Sequence, residues 1–325
     1  MIRAALPTAA LLWSLAGCAA SPPLAAGLPA GASRSIELGS TPFFAQEEYQ
    51  CGPAALATLL RASGIAILPP ELTPQVYVPG RRGSLQAELI GAARRHGRLP
   101  YVLAPDGGDL VAELSEGRPV LVLQNLRVTR WPRWHYAVLI GYDADRNVAI
   151  LRSGTRERIE MRWQKFARTW HLGGRWAITT LKPGVVPEHA DAARYIEAAA
   201  GLEAAGRRAE AQVAYDAAIA RWPEAALAWL GRGNVAYGDG KLDAAAESYL
   251  RAVELAPGNA AARNNLAQVL ADANCLAEAR VQLARAATLA AGTALAAAVA
   301  ESLAKIESLP PAATGCRFPG RAWTD

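Results

Sequence analysis

At 325 residues the chain is longer than one compact core usually holds, so two domains are the starting expectation. Hydrophobic residues at 52% and charged ones at 19% exclude an intrinsically disordered chain. The net charge of +5 is dispersed, which excludes a nucleic-acid stripe and reads as a solvated surface.

The N-terminus reads as a secretory signal over residues 1–18. Arg3 supplies a positive start, and Ala4 to Ala16 form an apolar run, broken by Pro7, Thr8 and Ser14, that is too short to span a bilayer. Its end, Leu15-Ala16-Gly17-Cys18, resembles the lipobox of bacterial lipoproteins. That resemblance implies cleavage before Cys18, lipidation of its thiol, and a periplasm-facing membrane anchor. Ala19 is not the aspartate associated with inner-membrane retention, so the outer membrane is expected. Residues 19–34, rich in Ala, Pro, Gly and Ser, read as a tether. No other segment is a transmembrane candidate. In an oxidising envelope Cys275 and Cys316 are either a disulfide or two free thiols.

Residues 35–183 mix strands and helices around Gln46-Glu-Glu-Tyr-Gln-Cys51-Gly-Pro-Ala-Ala-Leu-Ala57. Here an extended polar approach turns into an apolar helical run. Pro53 suits a first helical turn, where its missing N–H costs nothing. Cys51 then sits at a helix N-terminus, whose unpaired N–H groups and dipole favour thiolate. Gln46 is placed to aim an amide at the same point, as one half of an oxyanion hole. The plain alternative is a small buried cysteine at a helix start.

Downstream, 84–96 has helical spacing, 101–104 reads as a strand, 108–116 as a short helix and 119–123 as a buried strand. His135 opens the strand His135-Tyr-Ala-Val-Leu-Ile-Gly-Tyr142, which turns at 143–147 and returns from Val148. With the turn centred between Ala144 and Asp145, His135 faces the stretch Arg152 to Gly154. Ser153 is therefore the candidate for orienting the imidazole. His96, His171 and His189 read as surface residues. The tryptophans at 131, 134, 163, 170 and 176 read mostly as core, with a peptide groove as the other use.

Taken together, Gln46, Cys51-Gly-Pro-Ala-Ala-Leu56, His135-Tyr-Ala-Val138 and Gly141-Tyr-Asp143 resemble the double-glycine, bacteriocin-processing cysteine peptidases, which are papain-like in fold. The resemblance implies Cys51 as nucleophile, His135 as general base and Gln46 as oxyanion donor. Gln46 stands five residues before the cysteine rather than six, and Arg152-Ser153 replaces the acidic residue expected on the return strand. No zinc-ligand spacing or phosphate-binding loop occurs, so neither metal nor other cofactor is expected.

Pro183-Gly184 and Pro187 mark a linker over 184–191. Beyond it the chain repeats at 34 residues: Tyr215 recurs as Tyr249, Ala218 as Ala252 and Ala286, Pro223 as Pro257. This resembles the tetratricopeptide pattern, with units over 192–223, 226–257 and 260–291, a capping helix to 309, and a tail over 310–325. Such arrays bind peptides or proteins on a concave face, where Arg232, Asn234, Asn264 and Asn265 are candidates.

The sequence thus predicts an α+β papain-like cysteine peptidase domain followed by an all-α tetratricopeptide repeat solenoid. Its expected role is an envelope-anchored peptidase acting on a peptide or protein, with the repeats recruiting substrate or a protein partner and no nucleic acid involved. Two other readings stay open. One is a catalytically silent peptide-binding assembly factor, and the other is an amidase or acyltransferase using the same dyad.

Overall fold

The computed structural model describes residues 24–46, 50–310 and 315–318. The expected signal segment, the Cys18 anchor and residues 19–23 of the tether lie outside them. Among the described residues no helix is long and apolar enough to cross a membrane.

Among the described residues the N-terminal half has nine strands, β1 (Ser35–Glu37), β2 (Tyr77–Val78), β3 (Gly83–Ser84), β4 (Leu99–Val102), β5 (Val120–Asn125), β6 (Trp134–Asp143), β7 (Val148–Ser153), β8 (Arg156–Arg162) and β9 (Ala177–Leu181). Its helices are α1 (Cys51–Ala62), α2 (Pro69–Val76), α3 (Gln86–Arg95), α4 (Gly107–Ser115) and α5 (Trp163–His171). The main sheet runs β4-β9-β5-β6-β7-β8, antiparallel throughout, and β1 pairs with the far end of β6.

Both faces of this sheet are covered, which explains why β5 is a continuous apolar run rather than an alternating one. Alternate residues feed two cores. Leu121, Leu123, Tyr136, Val138 and Ile140 pack under α1, α2 and α3. Val120, Val122, Ala137 and Leu139 join the second core with residues of α4 and α5. Leu56, Leu59 and Leu60 of α1 are fully buried, each worth about 2 kcal/mol. Close packing also dictates Gly52. A Cβ there would lie 2.2 Å from Ser84 Oγ, so the small β2–β3 hairpin rests directly on the start of α1.

Part of the expected tether proves to be packed. Leu24 is buried in the second core, its N–H bonds Asn147 Oδ1 at 3.0 Å, and Leu28 and Ala32 pack beside it. Apolar contact there offsets the conformational freedom that the Ala/Pro/Gly composition suggested.

The C-terminal helices are α6 (Ala192–Ala204), α7 (Arg208–Arg221), α8 (Ala226–Gly238), α9 (Leu242–Leu255), α10 (Ala260–Asp272), α11 (Leu276–Ala290) and α12 (Ala296–Glu307). First helices start at residues 192, 226 and 260, a constant step of 34. The turns within pairs also correspond: Gly206, Gly240 and Asn274 all have positive φ. Small residues let helices approach. A Cβ on Gly233 of α8 would lie 2.5 Å from the Tyr249 ring of α9.

Three of the expected concave-face residues are tied to neighbours. Asn234 Oδ1 accepts from Tyr249 Oη and from Asn265 Nδ2, both at 3.0 Å. Arg232 Nε donates to Ser248 Oγ at 2.9 Å and its guanidinium lies over the Trp229 ring.

The two halves share the second core, which takes in Tyr195, Leu202 and Tyr215. The 184–191 segment is held by Tyr101 Oη, which accepts from Asp191 N at 2.9 Å, and by His189. His189 was expected at the surface. Instead it is half-buried, 3.3 Å from the buried carboxylate of Glu113 and 3.2 Å from Glu116, and these carboxylates hold its imidazole above the usual range. In the tail, Cys275 and Cys316 form a disulfide, and Arg317 N donates to Ala273 O at 3.0 Å.

Candidate active site

Cys51 is the first residue of α1 and a free, half-buried thiol. Among the described residues no side chain caps this helix. Gln50 Oε1 instead accepts from Thr73 Oγ1 at 3.0 Å. The backbone N–H groups of Cys51 and Gly52 are left facing the sulfur, and with that of Tyr136 they favour the thiolate. Burial opposes them and is the larger effect, so the thiol is pushed above its ordinary value. The sequence expectation of a helix-activated thiolate is corrected accordingly. Lost hydration of the sulfur outweighs three backbone dipoles.

His135 lies at the start of β6, next in the chain to Tyr136, whose backbone N–H reaches the Cys51 sulfur. Burial, and secondarily the Arg133 guanidinium, holds its imidazole down to about 4. Its Nε2 is 2.7 Å from Ser153 Oγ. The ring's other nitrogen, Nδ1, is not used in that contact.

Register arithmetic from the turn found the right neighbourhood with a shifted rule. Partner numbers add to 291 at Asp143 and Val148, and to 290 at Val138 and Arg152 beyond a bulge. The turn is centred between Asp145 and Arg146, one residue later than expected, and the bulge returns one residue of the slip. Arg152 is no substitute for a catalytic acid. It is buried, and its guanidinium donates to the carbonyls of Glu157, Gly39 and Thr41 at 2.7, 2.9 and 3.0 Å. It thereby braces the loop that leads to Gln46.

Gln46 is clamped to the return turn. Its N–H donates to Gly154 O at 2.9 Å, its Oε1 accepts from Gly154 N at 3.0 Å, and its Nε2 donates to Tyr136 O at 3.3 Å. One of the two amide hydrogens is thus committed and one is left.

Gln46, Cys51, His135 and Gly154 line one cleft of 1180 Å³, with Ser153 standing behind His135. Sequence reasoning missed other walls of this cleft. The tip of the β2–β3 hairpin brings Arg81 and Arg82, the strand entry brings Arg133, and the end of α5 brings His171, which is exposed but lines the site. The tryptophans divide: Trp163 and Trp170 are core, Trp131 and Trp134 are more than half exposed, and Trp134 reaches the cleft.

Residues 39–178 match the model of the Peptidase_C39 like family, and residues 197–260 match a tetratricopeptide repeat model. No match was found among curated proteins. Among solved structures, a C39-like peptidase from Bacillus anthracis is 19% identical over 46% of this chain and 98% of its own, with a TM-score of 0.38. The type III secretion translocator chaperone SycD of Yersinia enterocolitica is 22% identical over 35% of this chain and 82% of its own, with a TM-score of 0.34. The TPR2B domain of yeast Sti1 is 20% identical over 36% and 95%, with a TM-score of 0.34. The chain thus joins a C39-peptidase-like α+β domain to a run of tetratricopeptide repeats.

Proposed function

We propose that the protein is a cysteine peptidase in which Cys51 is the nucleophile, His135 the general base and Ser153 its positioning partner. The observation carrying this reading is that Cys51 and His135 line the same cleft while His135 Nε2 is occupied by Ser153. In the reaction His135 Nδ1 takes the Sγ proton as the sulfur attacks the scissile carbonyl carbon. The resulting oxyanion is met by the N–H of Cys51 and the free amide hydrogen of Gln46. The C–N bond breaks as the amine takes the proton from His135. Water then cleaves the thioester and restores the thiol.

The test is cleavage of a peptide library by wild type and Cys51→Ala. Cleavage by wild type alone supports the reading, and equal cleavage by both overturns it.

A second reading, a silent peptide-binding factor, is favoured by a neutral hydroxyl, that of Ser153, standing at His135 Nε2 and by burial that keeps both groups neutral. It expects partner binding that Cys51→Ala leaves intact, with no cleavage by either protein.

We further place the chain at the membrane through a lipid on Cys18, facing the periplasm and on the outer membrane, with the repeats recruiting a protein substrate or partner. The Cys275–Cys316 disulfide supports an oxidising compartment. Incorporation of labelled palmitate that Cys18→Ala leaves unchanged would refute the anchor.

A further inference from the structure

The cleft walls carry an unusual charge balance. Arg81, Arg82 and Arg133 line it, and among the described residues no aspartate or glutamate does. All three are exposed, and none forms an ion pair with another of the described residues. Some surface arginines elsewhere are matched, as Arg34 with Asp145, Arg146 with Glu160, Arg158 with Glu37 and Arg208 with Asp239; what sets the cleft apart is that three gather on one concave site. Unpaired guanidiniums converging on a concave site focus positive potential where a ligand would lie.

These arginines are mounted on two built supports. On the helical side, the β2–β3 hairpin pairs Tyr77 with Ser84 and Val78 with Gly83, and Gly52 lets it sit on α1. A 3-10 turn over Pro79–Arg81 forms its tip, closed by Arg82 N donating to Pro79 O at 3.1 Å. Arg82 itself has φ +47, a left-handed conformation that a long side chain adopts only when its surroundings impose it.

On the sheet side, the 126–133 loop is cinched by the buried Asn125. Its Oδ1 accepts from Arg133 N at 3.0 Å and Arg127 N at 3.1 Å, and Leu126 N donates to Arg133 O at 2.9 Å. Arg133 is thereby fixed two residues before His135. Trp134, between them, adds an exposed apolar surface. A few arginines walling a cleft, with an aromatic ring and a hydrolytic pair inside it, suit an extended acidic peptide better than the continuous phosphate backbone of a nucleic acid.

We propose that the cleft selects polypeptide segments bearing aspartate or glutamate beside the scissile bond, recognised by Arg81 and Arg82 from one wall and Arg133 from the other. This assignment rests on the peptidase reading of Cys51 and His135. It has a further consequence for the base. Arg133 disfavours protonated His135, so a carboxylate that neutralises Arg133 makes the imidazole a better proton acceptor when substrate is present.

The test compares alkylation of Cys51 by iodoacetate and by iodoacetamide in the full chain, read by peptide mass spectrometry. Both reagents consume the same thiolate, so their rate ratio cancels the thiol's own reactivity and reports local potential. Relative to the urea-unfolded chain, the folded protein is expected to favour the anionic reagent by about tenfold at low salt. Most of that preference should vanish at 1 M salt and in Arg81→Gln/Arg82→Gln or Arg133→Gln. A glutamate-rich peptide should protect Cys51 better than a lysine-rich one.

A reactive Cys51 with no charge preference overturns the acidic-substrate assignment and leaves the peptidase reading standing. A Cys51 inert to both reagents overturns the peptidase reading and this assignment with it. An oligonucleotide of matched charge that protects better than the acidic peptide overturns the choice of polypeptide.

Discussion

His135 Nε2 lies 2.7 Å from Ser153 Oγ, across adjacent strands that run in opposite directions. A neutral hydroxyl in this place fixes the ring's orientation without the charge that a carboxylate would add. An imidazolium at His135 would therefore be stabilised less than one beside a carboxylate.

Ser153→Ala is expected to lower kcat about tenfold with little change in KM, the worth of one orienting hydrogen bond. Ser153→Asp should raise the pKa read from the acidic limb of kcat/KM, because a nearby carboxylate favours the imidazolium. Steady-state kinetics from pH 4 to 9 check both. A Ser153→Ala enzyme with wild-type kcat would remove Ser153 from the mechanism.

Burial keeps the resting pair neutral, with the Cys51 thiol raised and the His135 imidazole lowered to about 4. Alkylation of Cys51 by iodoacetamide should therefore climb through pH 8–10, with no plateau in the acid range. A thiol pKa well below 8.5 that shifts on His135→Ala would show instead that the pair ionises in the free protein.

The same depression of His135 sets a stability window. Between pH 6.5 and about 4 the unfolded chain binds a proton that the folded chain refuses, so stability falls as pH drops through that range. The loss approaches roughly 3 kcal/mol at its foot. Urea midpoints at pH 7 and pH 4.5 should differ less in His135→Gln than in wild type.

Gly52→Ala is expected to cost about 1–3 kcal/mol and to loosen the β2–β3 hairpin, since the new methyl meets Ser84 Oγ at 2.2 Å. Ser84→Gly in the same chain removes the obstacle and should restore most of the loss. Paired thermal melts decide this. An unaltered melting point in Gly52→Ala would mean that the hairpin does not press on α1.

Reducing the Cys275–Cys316 bridge opens a span of 41 residues. It should destabilise the last helices by up to about 4 kcal/mol. Hydrogen exchange should accelerate in α10–α12 and not in the β5–β6 pair. Uniform acceleration would instead point to one cooperative unit spanning both halves.

Much of the fold was legible because its signals are local. The 34-residue repeat follows from which residues touch at helix crossings, and the Cys51 helix, His135 strand and Val148 return each announce themselves by periodicity and turns. The β2–β3 hairpin, β8, α5 and β9 were not legible. Two-residue strands are too short to carry a period, and in β8 only Ile159 and Met161 alternate among charged residues, so both acquire identity from the neighbours they pair with.

Within the candidate site, sequence alone determined which residues could do chemistry: a thiol before an apolar helix, a histidine at a strand start, and a hydroxyl within register of it. Only the tertiary structure decided their state and company. Burial reversed the thiolate expectation for Cys51, because desolvation depends on what packs over the sulfur and not on its own helix. Packing likewise turned His189 from a surface residue into a clip between the two halves. It also gathered Arg81, Arg82 and Arg133, dispersed in sequence, onto one cleft, since potential adds through space and not along the chain.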